Sequence, residues 1–294
     1  MCDIKHLRNF AESNPELVTV RISIRHPRLR VVKYKNKVFY KNLWTPELEE
    51  MRGLVVDEDW NVVVRPFKKI YNRFENGTDM APETSVVAVR KINGFMAAVT
   101  KNPEYGTIVS TTGSLDSPFV AMAEESLDGL LSFKGLVENV TYLFEIVHQD
   151  DPHIIEEKIG PYLIGARCVH SGMILTECDL DLLANDMQGV MRPEWKVCRF
   201  KDVVEEVHSC KHEGFVVYDR KGHSLKIKSP YYLTKKFFSR VRAEKLTVEW
   251  LEEKRGNFDE EFYGLIDYLA LNRDTFVSLD QHQRRKFIEE YLAQ

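Results

Sequence analysis

Apolar and polar positions alternate with a period of two through much of the first half of the chain. Val18, Val20, Ile22 and Ile24 are separated by polar residues, which predicts a half-buried strand. Residues 54–57 and 62–64 are apolar runs joined by Asp57-Glu58-Asp59-Trp60-Asn61, the pattern of a hairpin. Residues 86–89, 95–99 and 108–110 continue in the same way. Ser117-Pro118 then marks a helix start, with serine suited to the N-cap and proline to the first turn. Phe119, Met122, Ala123, Leu127, Leu130 and Leu131 follow at helical spacing and predict its buried stripe. Strands are expected again at 142–147 and 162–169, short helices at 180–187 and 203–208, and closing strands at 214–218 and 224–228.

The pattern changes after Tyr232. A basic stretch, Lys235-Lys236-Phe237-Phe238-Ser239-Arg240-Val241-Arg242, opens a tail with helical period and no strand period. Asn257 with Glu260, and Ser278 with Gln281, have the spacing of capping boxes for its last two helices. The expected division is a large domain over 1–232 and a small helical one over 233–294. Antiparallel strands with interspersed helices make the whole α+β.

Composition changes this picture little. The 294 residues are 44% hydrophobic, ordinary for a globular protein. No apolar run reaches the roughly 18 residues of a membrane span. The start, Met-Cys-Asp-Ile-Lys-His, lacks a signal-peptide core, and a cytoplasmic location is expected. The five cysteines form no C-x-x-C pair, so zinc and redox motifs are not indicated. They are expected as reduced thiols, three or more of them buried. With a net charge of −4, any contact with nucleic acid must come from local basic patches.

Five short motifs carry candidate chemistry. Lys91-Ile92-Asn93-Gly94 lies between two predicted strands. Its lysine could be a nucleophile if neighbouring cations and partial burial favour the neutral amine. Gly94 would allow close backbone approach to a phosphate or base. Glu145 is a carboxylate inside the apolar run Tyr142-Leu143-Phe144-Glu145-Ile146-Val147, suited to ribose hydroxyls or to a core ion pair. Glu213-Gly214 opens the strand Phe215-Val216-Val217-Tyr218 and could hold the hydration shell of Mg²⁺. Lys226 and Lys228 lie two apart on a strand and share a face, where a polyanion would explain both. Basic residues interleaved with aromatics at 65–72 and 235–242 suit phosphate contact with base stacking, and equally describe ordinary surfaces. A solvated turn, a strand-end charge or a solvated face accounts for each motif taken alone.

Their order is more specific. Lys-Ile-Asn-Gly, Phe144-Glu145, Glu213-Gly214 and Lys226-Ile227-Lys228 resemble motifs I, III, IV and V of the covalent nucleotidyltransferases. Arg52-Gly53, the run from Arg65 to Asn72, and Tyr232 resemble the phage-type ATP-dependent RNA ligases of tRNA repair, and the likeness covers about residues 35–233. The resemblance implies the nucleotidyltransferase fold, an ATP-grasp-like DNA/RNA ligase arrangement of antiparallel sheets with flanking helices, followed by a small all-α domain. It implies ATP and Mg²⁺ or Mn²⁺ as cofactors, with AMP carried on Lys91. Arg52 and Lys69 would contact ATP phosphates, Glu145 would hold the ribose, and Gly94 would lie against the bound nucleotide. Glu213 would serve the metal, and Lys226 and Lys228 the α-phosphate. The implied substrate is RNA with 5′-phosphate and 3′-hydroxyl ends, such as nicked tRNA, with a separate polynucleotide kinase/phosphatase as partner. Two positions depart from the pattern: Asn93 stands where many relatives have aspartate, and Thr112 where a basic residue is common. DNA ligases and mRNA-capping enzymes share the chemistry but usually append a β-rich domain, which the helical tail does not resemble. A non-catalytic nucleotide- or RNA-binding module is the alternative of another class.

Overall fold

The computed structural model describes residues 5–131, 135–254 and 262–292. Helix α1 (Lys5–Ser13) precedes strands β1 (Val18–Ile22) and β2 (Leu29–Tyr34). Two short helices, α2 (Asn36–Tyr40) and α3 (Pro46–Glu50), lead into β3 (Arg52–Asp57) and β4 (Val62–Val64). Next come β5 (Tyr71–Asn72), β6 (Ser85–Arg90), β7 (Phe95–Asn102) and β8 (Gly106–Thr111). Helices α4 (Pro118–Ser126) and α5 (Asp128–Leu131) separate these from β9 (Val140–Val147) and β10 (Gly160–Cys168). Then follow α6 (Glu177–Asn185), β11 (Trp195–Arg199), α7 (Phe200–Ser209), β12 (Gly214–Asp219) and β13 (Ser224–Lys228). The remaining regular helices are α8 (Pro230–Arg240), α9 (Val248–Lys254), α10 (Tyr263–Leu271), α11 (Arg273–Ser278) and α12 (Gln281–Leu292). Residue 233 lies within α8, and no described residue after 228 is in a strand.

The chain forms two compact units. The first comprises residues 1–71, 94–151 and 158–194. It holds two four-stranded sheets, ordered β1-β2-β3-β4 and β10-β9-β7-β8, with every strand pairing antiparallel. Ala97, Val99, Tyr142, Phe144 and Ile146 pack against Val120, Ala123 and Leu127 of the helical side, forming one core. The second unit comprises residues 72–93, 152–157 and 195–294. Its sheet runs β11-β6-β12-β13 with β5 at the edge. Phe200, Val203 and Val207 of α7 pack on Val86, Phe215, Val217 and Ile227. A separate apolar cluster, including Phe238, Leu251, Leu265, Leu269, Phe276 and Ile288, holds the tail helices together.

The hairpin expected at 54–64 forms, with Val55 opposite Val64. Several details differ from the sequence pattern. In β1 only Val18 is buried, while Val20 and Ile22 are 42% and 57% exposed, because this edge strand runs past the end of its core. In α4 the buried residues are Val120 and Ala123, whereas Phe119 is 41% exposed and meets Phe95 edge-on. The side chain of Leu131 lies outside the described residues, as do Asn257 and Glu260. The last helix is capped by Asp280 and Gln283, which exchange reciprocal hydrogen bonds, while Ser278 ends α11. Of the described cysteines none is fully buried: Cys178 sits in the exposed first turn of α6, and Cys198 on the edge strand β11. No helix of the described residues is long and apolar enough to cross a membrane.

Candidate active site

Lys91 is the first residue after β6. Its backbone N–H donates to the Gly214 carbonyl at 2.8 Å, which extends the β6–β12 ladder by one bond and fixes where the side chain leaves the sheet. Gly214 has φ +126°, and a Cβ there would lie 2.1 Å from the Ile227 carbonyl oxygen. Only glycine lets β12 begin so tightly against β13. The register that results sets Gly214 opposite Lys228, and so brings Glu213 beside Lys228.

The side chains then meet on one carboxylate. Lys91 Nζ lies 3.0 Å from Glu213 Oε2, and Lys228 Nζ 3.4 Å from Glu213 Oε1. Asn93 Nδ2 donates to the same Oε2 at 2.7 Å, while its Oδ1 accepts from the Ile155 N–H at 2.9 Å. Asn93 thus ties the carboxylate to the 152–157 segment of the same unit. Lys226 shares the strand face of Lys228, with Leu225 and Ile227 turned to the core. Tyr232, buried in α8, has Lys228 Nζ at 5.2 Å and Lys236 Nζ at 5.4 Å from its ring centroid, a cation–π arrangement with two ammonium groups.

The charges are uneven. Burial alone would raise the Glu213 carboxyl, but the charges of Lys91 and Lys228, with hydrogen bonds from Lys91 and Asn93, hold it below the usual carboxylate range. Glu157, in the same unit, moves the other way. Burial pushes it up, Arg90 at 2.8 Å only partly offsets this, and the Glu213 charge adds to the rise. The Lys236 amine is lowered by burial first and then by Lys228, Arg240 and Lys91, against a smaller opposing pull from Glu213. The Tyr231 hydroxyl is pushed up to about 12 by burial and by Glu289 and Glu156.

The first unit holds the other candidates. The Gly94 N–H donates to Glu145 Oε1 at 3.2 Å, and Glu145 faces Met96 in the β7–β9 register. A Cβ on Gly94 would lie 2.2 Å from the Ile146 carbonyl, so the close approach this glycine permits is to the backbone of β9. Arg52 Nη1 reaches Met96 Sδ at 3.7 Å, placing Arg52 beside that pair. The Lys69 ammonium lies 5.4, 5.0 and 5.1 Å from the ring centroids of Phe39, Trp44 and Tyr71. The basic-aromatic run at 65–72 proves largely structural. Arg65 is buried, donates to the Val169 carbonyl and pairs with Glu50, which also takes two hydrogen bonds from Arg167. Phe67 packs against Gly165.

The structure thus brings Lys91, Glu213 and Lys228 together, with Lys226 on the strand face of Lys228. Arg52, Gly94 and Glu145 neighbour one another in their own unit. Sequence reasoning missed the bridging role of Asn93, the contribution of Lys236, and the Arg90–Glu157 pair. The spacing of Lys236 from Tyr232, one helical turn, was the only signal for the second of these.

A family model of RNA ligases matches residues 50–244, two thirds of the chain. The chain belongs to the RNA ligase family. It is accordingly an RNA-joining enzyme, with RNA as its substrate class. The match begins just before Arg52 and ends past Lys236, so it spans every candidate residue above. Among solved structures, two described as forms 2 and 1 of an archaeal ATP-dependent RNA ligase share the fold. One is 14% identical with a TM-score of 0.56, the alignment covering 96% of this chain and 75% of that one. The other is also 14% identical, with a TM-score of 0.60 and coverage of 90% and 75%. A protein from Aquifex aeolicus, given as a candidate ATP-dependent DNA ligase, is 12% identical with a TM-score of 0.58 and coverage of 92% and 72%. At such identities these likenesses establish the ligase-type nucleotidyltransferase fold. A search of curated protein sequences finds no match.

Proposed function

We propose that the ligase works through a covalent lysyl-adenylate on Lys91. The amine attacks the α-phosphate of ATP, the α–β bridging bond breaks, and pyrophosphate leaves. The adenylyl group then passes to a 5′-phosphate on RNA, and a 3′-hydroxyl displaces AMP to form the phosphodiester. The observation that carries this reading is the convergence of Lys91 and Lys228 on the buried Glu213 carboxylate. Attack requires the neutral amine. The Glu213 carboxylate favours the charged form, while Lys228 and Lys236 oppose it, so the balance among these groups sets the reactive fraction. Lys226 and Lys228 are suited to the charge on the α-phosphate, a contribution of the kind that dominates phosphoryl transfer.

Glu213 fits a hydrated Mg²⁺ or Mn²⁺. It is a single buried carboxylate, and the described residues hold no group of three potential ligands. Mg²⁺ commonly binds in this way, through one carboxylate, waters and substrate phosphate. Its chemistry there would be to neutralise phosphate charge and to compete with Lys91 for the carboxylate. Arg52 and Lys69 are proposed for the ATP phosphates, Glu145 for the ribose and Gly94 for the bound nucleotide, on the family resemblance. On the same basis residues 1–232 carry adenylyl transfer and residues 233–294 form the accessory helical domain. The natural setting is proposed as RNA repair in the cytoplasm, with nicked tRNA as substrate beside a separate end-healing kinase/phosphatase.

Incubation with Mg²⁺ and ATP radiolabelled at the α-phosphate should label the protein through an acid-labile bond, and Lys91→Met should fold and remain unlabelled. Labelling from GTP in place of ATP, or undiminished labelling of Lys91→Met, would overturn the reading. A sealing assay on 5′-phosphate RNA against nicked duplex DNA then separates RNA joining from DNA joining.

A further inference from the structure

A second cluster of cations lies in the first unit. A cavity of about 330 Å³ opens on the β1–β2 face, and its lining includes Thr19, Arg21, Lys33, Lys35, Asn36 and Gly113. The strand period places Thr19, Arg21 and Lys33 on one face, and the antiparallel register sets Thr19 opposite Lys33 and Arg21 opposite Val31. Arg21 and Lys33 are then diagonal neighbours, close enough for their charges to repel. The Lys33 ammonium seats against the turn after β8: a Cβ built on Gly113 would lie 3.4 Å from Lys33 Nζ. Lys35 joins the rim and donates to the Pro15 carbonyl at 2.7 Å.

The lining contains no carboxylate. That is unusual for this chain, in which 45 acidic residues outnumber 41 basic ones. Several other surface cations are paired: Arg25 with Glu124, Arg28 with Glu58 and Glu104, Lys196 with Glu206, Lys201 with Glu83. Arg21 and Lys33 have no ion pair among the described residues. Charges on an edge strand can serve to block edge-to-edge pairing. That accounts for Arg21 on β1, but not for Lys33 on the interior strand β2, nor for the concave floor at Gly113.

We propose that this cavity is a phosphate-binding subsite for the RNA strand, in which Arg21 and Lys33 neutralise backbone phosphates and position the RNA without reading its sequence. The proposal rests on RNA as substrate, given by family membership, and not on the lysyl-adenylate reading. The same chemistry could take the phosphates of ATP, and the test separates the two. Binding of a 5′-phosphorylated single-stranded RNA is measured by fluorescence anisotropy from low to moderate KCl. The proteins compared are wild type, Arg21→Gln, Lys33→Gln, the double variant, and Lys221→Gln of the second unit as an exposed control. Each cavity variant should flatten the slope of log K against log salt by about 0.7, and the double variant by about 1.4. Affinity at low salt should fall several-fold, with no change in adenylylation by ATP. All three positions are at the surface or half-buried, so melting temperatures should hold. An unchanged RNA slope in the double variant would overturn the proposal. So would a raised KM for ATP with RNA binding intact, or an equal effect of Lys221→Gln.

Discussion

Asn93 and Lys91 bind the same oxygen of Glu213, at 2.7 and 3.0 Å. The asparagine therefore helps to set where the carboxylate lies relative to the amine. The geometry suits an amide at this position. An amide can donate to Glu213 while its oxygen accepts from the Ile155 N–H.

Asn93→Asp should accordingly be harmful. It would set a second carboxylate against Glu213 in a buried place and remove the donor, a loss of about 2 kcal/mol. A tenfold or larger fall in the rate of ATP labelling is expected, together with a lower melting temperature. Single-turnover labelling and thermal denaturation would show it, and a variant as active and stable as wild type would remove Asn93 from the site.

The Glu213 carboxyl is held below its ordinary range, so the folded state binds its proton more weakly than the unfolded chain does. Its contribution to stability is complete above the ordinary carboxylate pKa and is lost as pH falls through the depressed folded value. Glu213→Gln leaves Lys91 and Lys228 without a counter-charge and should cost about 3 kcal/mol at neutral pH. The gap between wild type and variant in denaturant melts should narrow below about pH 4.5, as the wild-type carboxylate protonates. A gap that stays constant to pH 3 would contradict this account.

Lys236 shares the positive field around Lys91, since each charge disfavours the other. Lys236→Met should make the Lys91 ammonium easier to keep. The pH–rate profile for adenylylation should then move to higher pH, with a smaller change at its alkaline plateau. A uniform loss at every pH would mean that Lys236 acts by packing alone.

Arg285 of α12 donates to the Pro152 carbonyl at 2.6 Å and also to that of His153. The segment it grips carries Ile155, which holds Asn93. Arg285→Met should slow adenylylation several-fold per folded molecule, and Arg285→Lys should restore part of it. A variant that melts earlier yet labels at the wild-type rate would show that the contact is merely structural.

The candidate residues stood out in the sequence because each is a charge inside or beside an apolar run. Glu213 before Phe215-Val216-Val217 and Lys228 after Leu225-Lys226-Ile227 could be placed from period-two patterning alone. Other elements were not visible. β2 has adjacent buried valines, Val31 and Val32, between charged neighbours, and β11 is an exposed edge strand paired with β6. Neither shows alternation. The basic-aromatic run at 65–72 could not be resolved from the sequence for a related reason. Its Arg65 charge is answered by Glu50, fifteen residues earlier, with Arg167 sharing that carboxylate from a hundred residues beyond.

By itself the sequence determined which residues are candidates for phosphoryl chemistry, and which strands they lie on or beside, because side-chain type and hydrophobic period are local properties. Only the tertiary structure decided that two lysines would share one buried carboxylate, that an asparagine would steady it, and that Arg21 and Lys33 would face a common cavity. Those outcomes depend on strand register and on segments far apart in the chain, and a charge finds its partner through space rather than along the backbone.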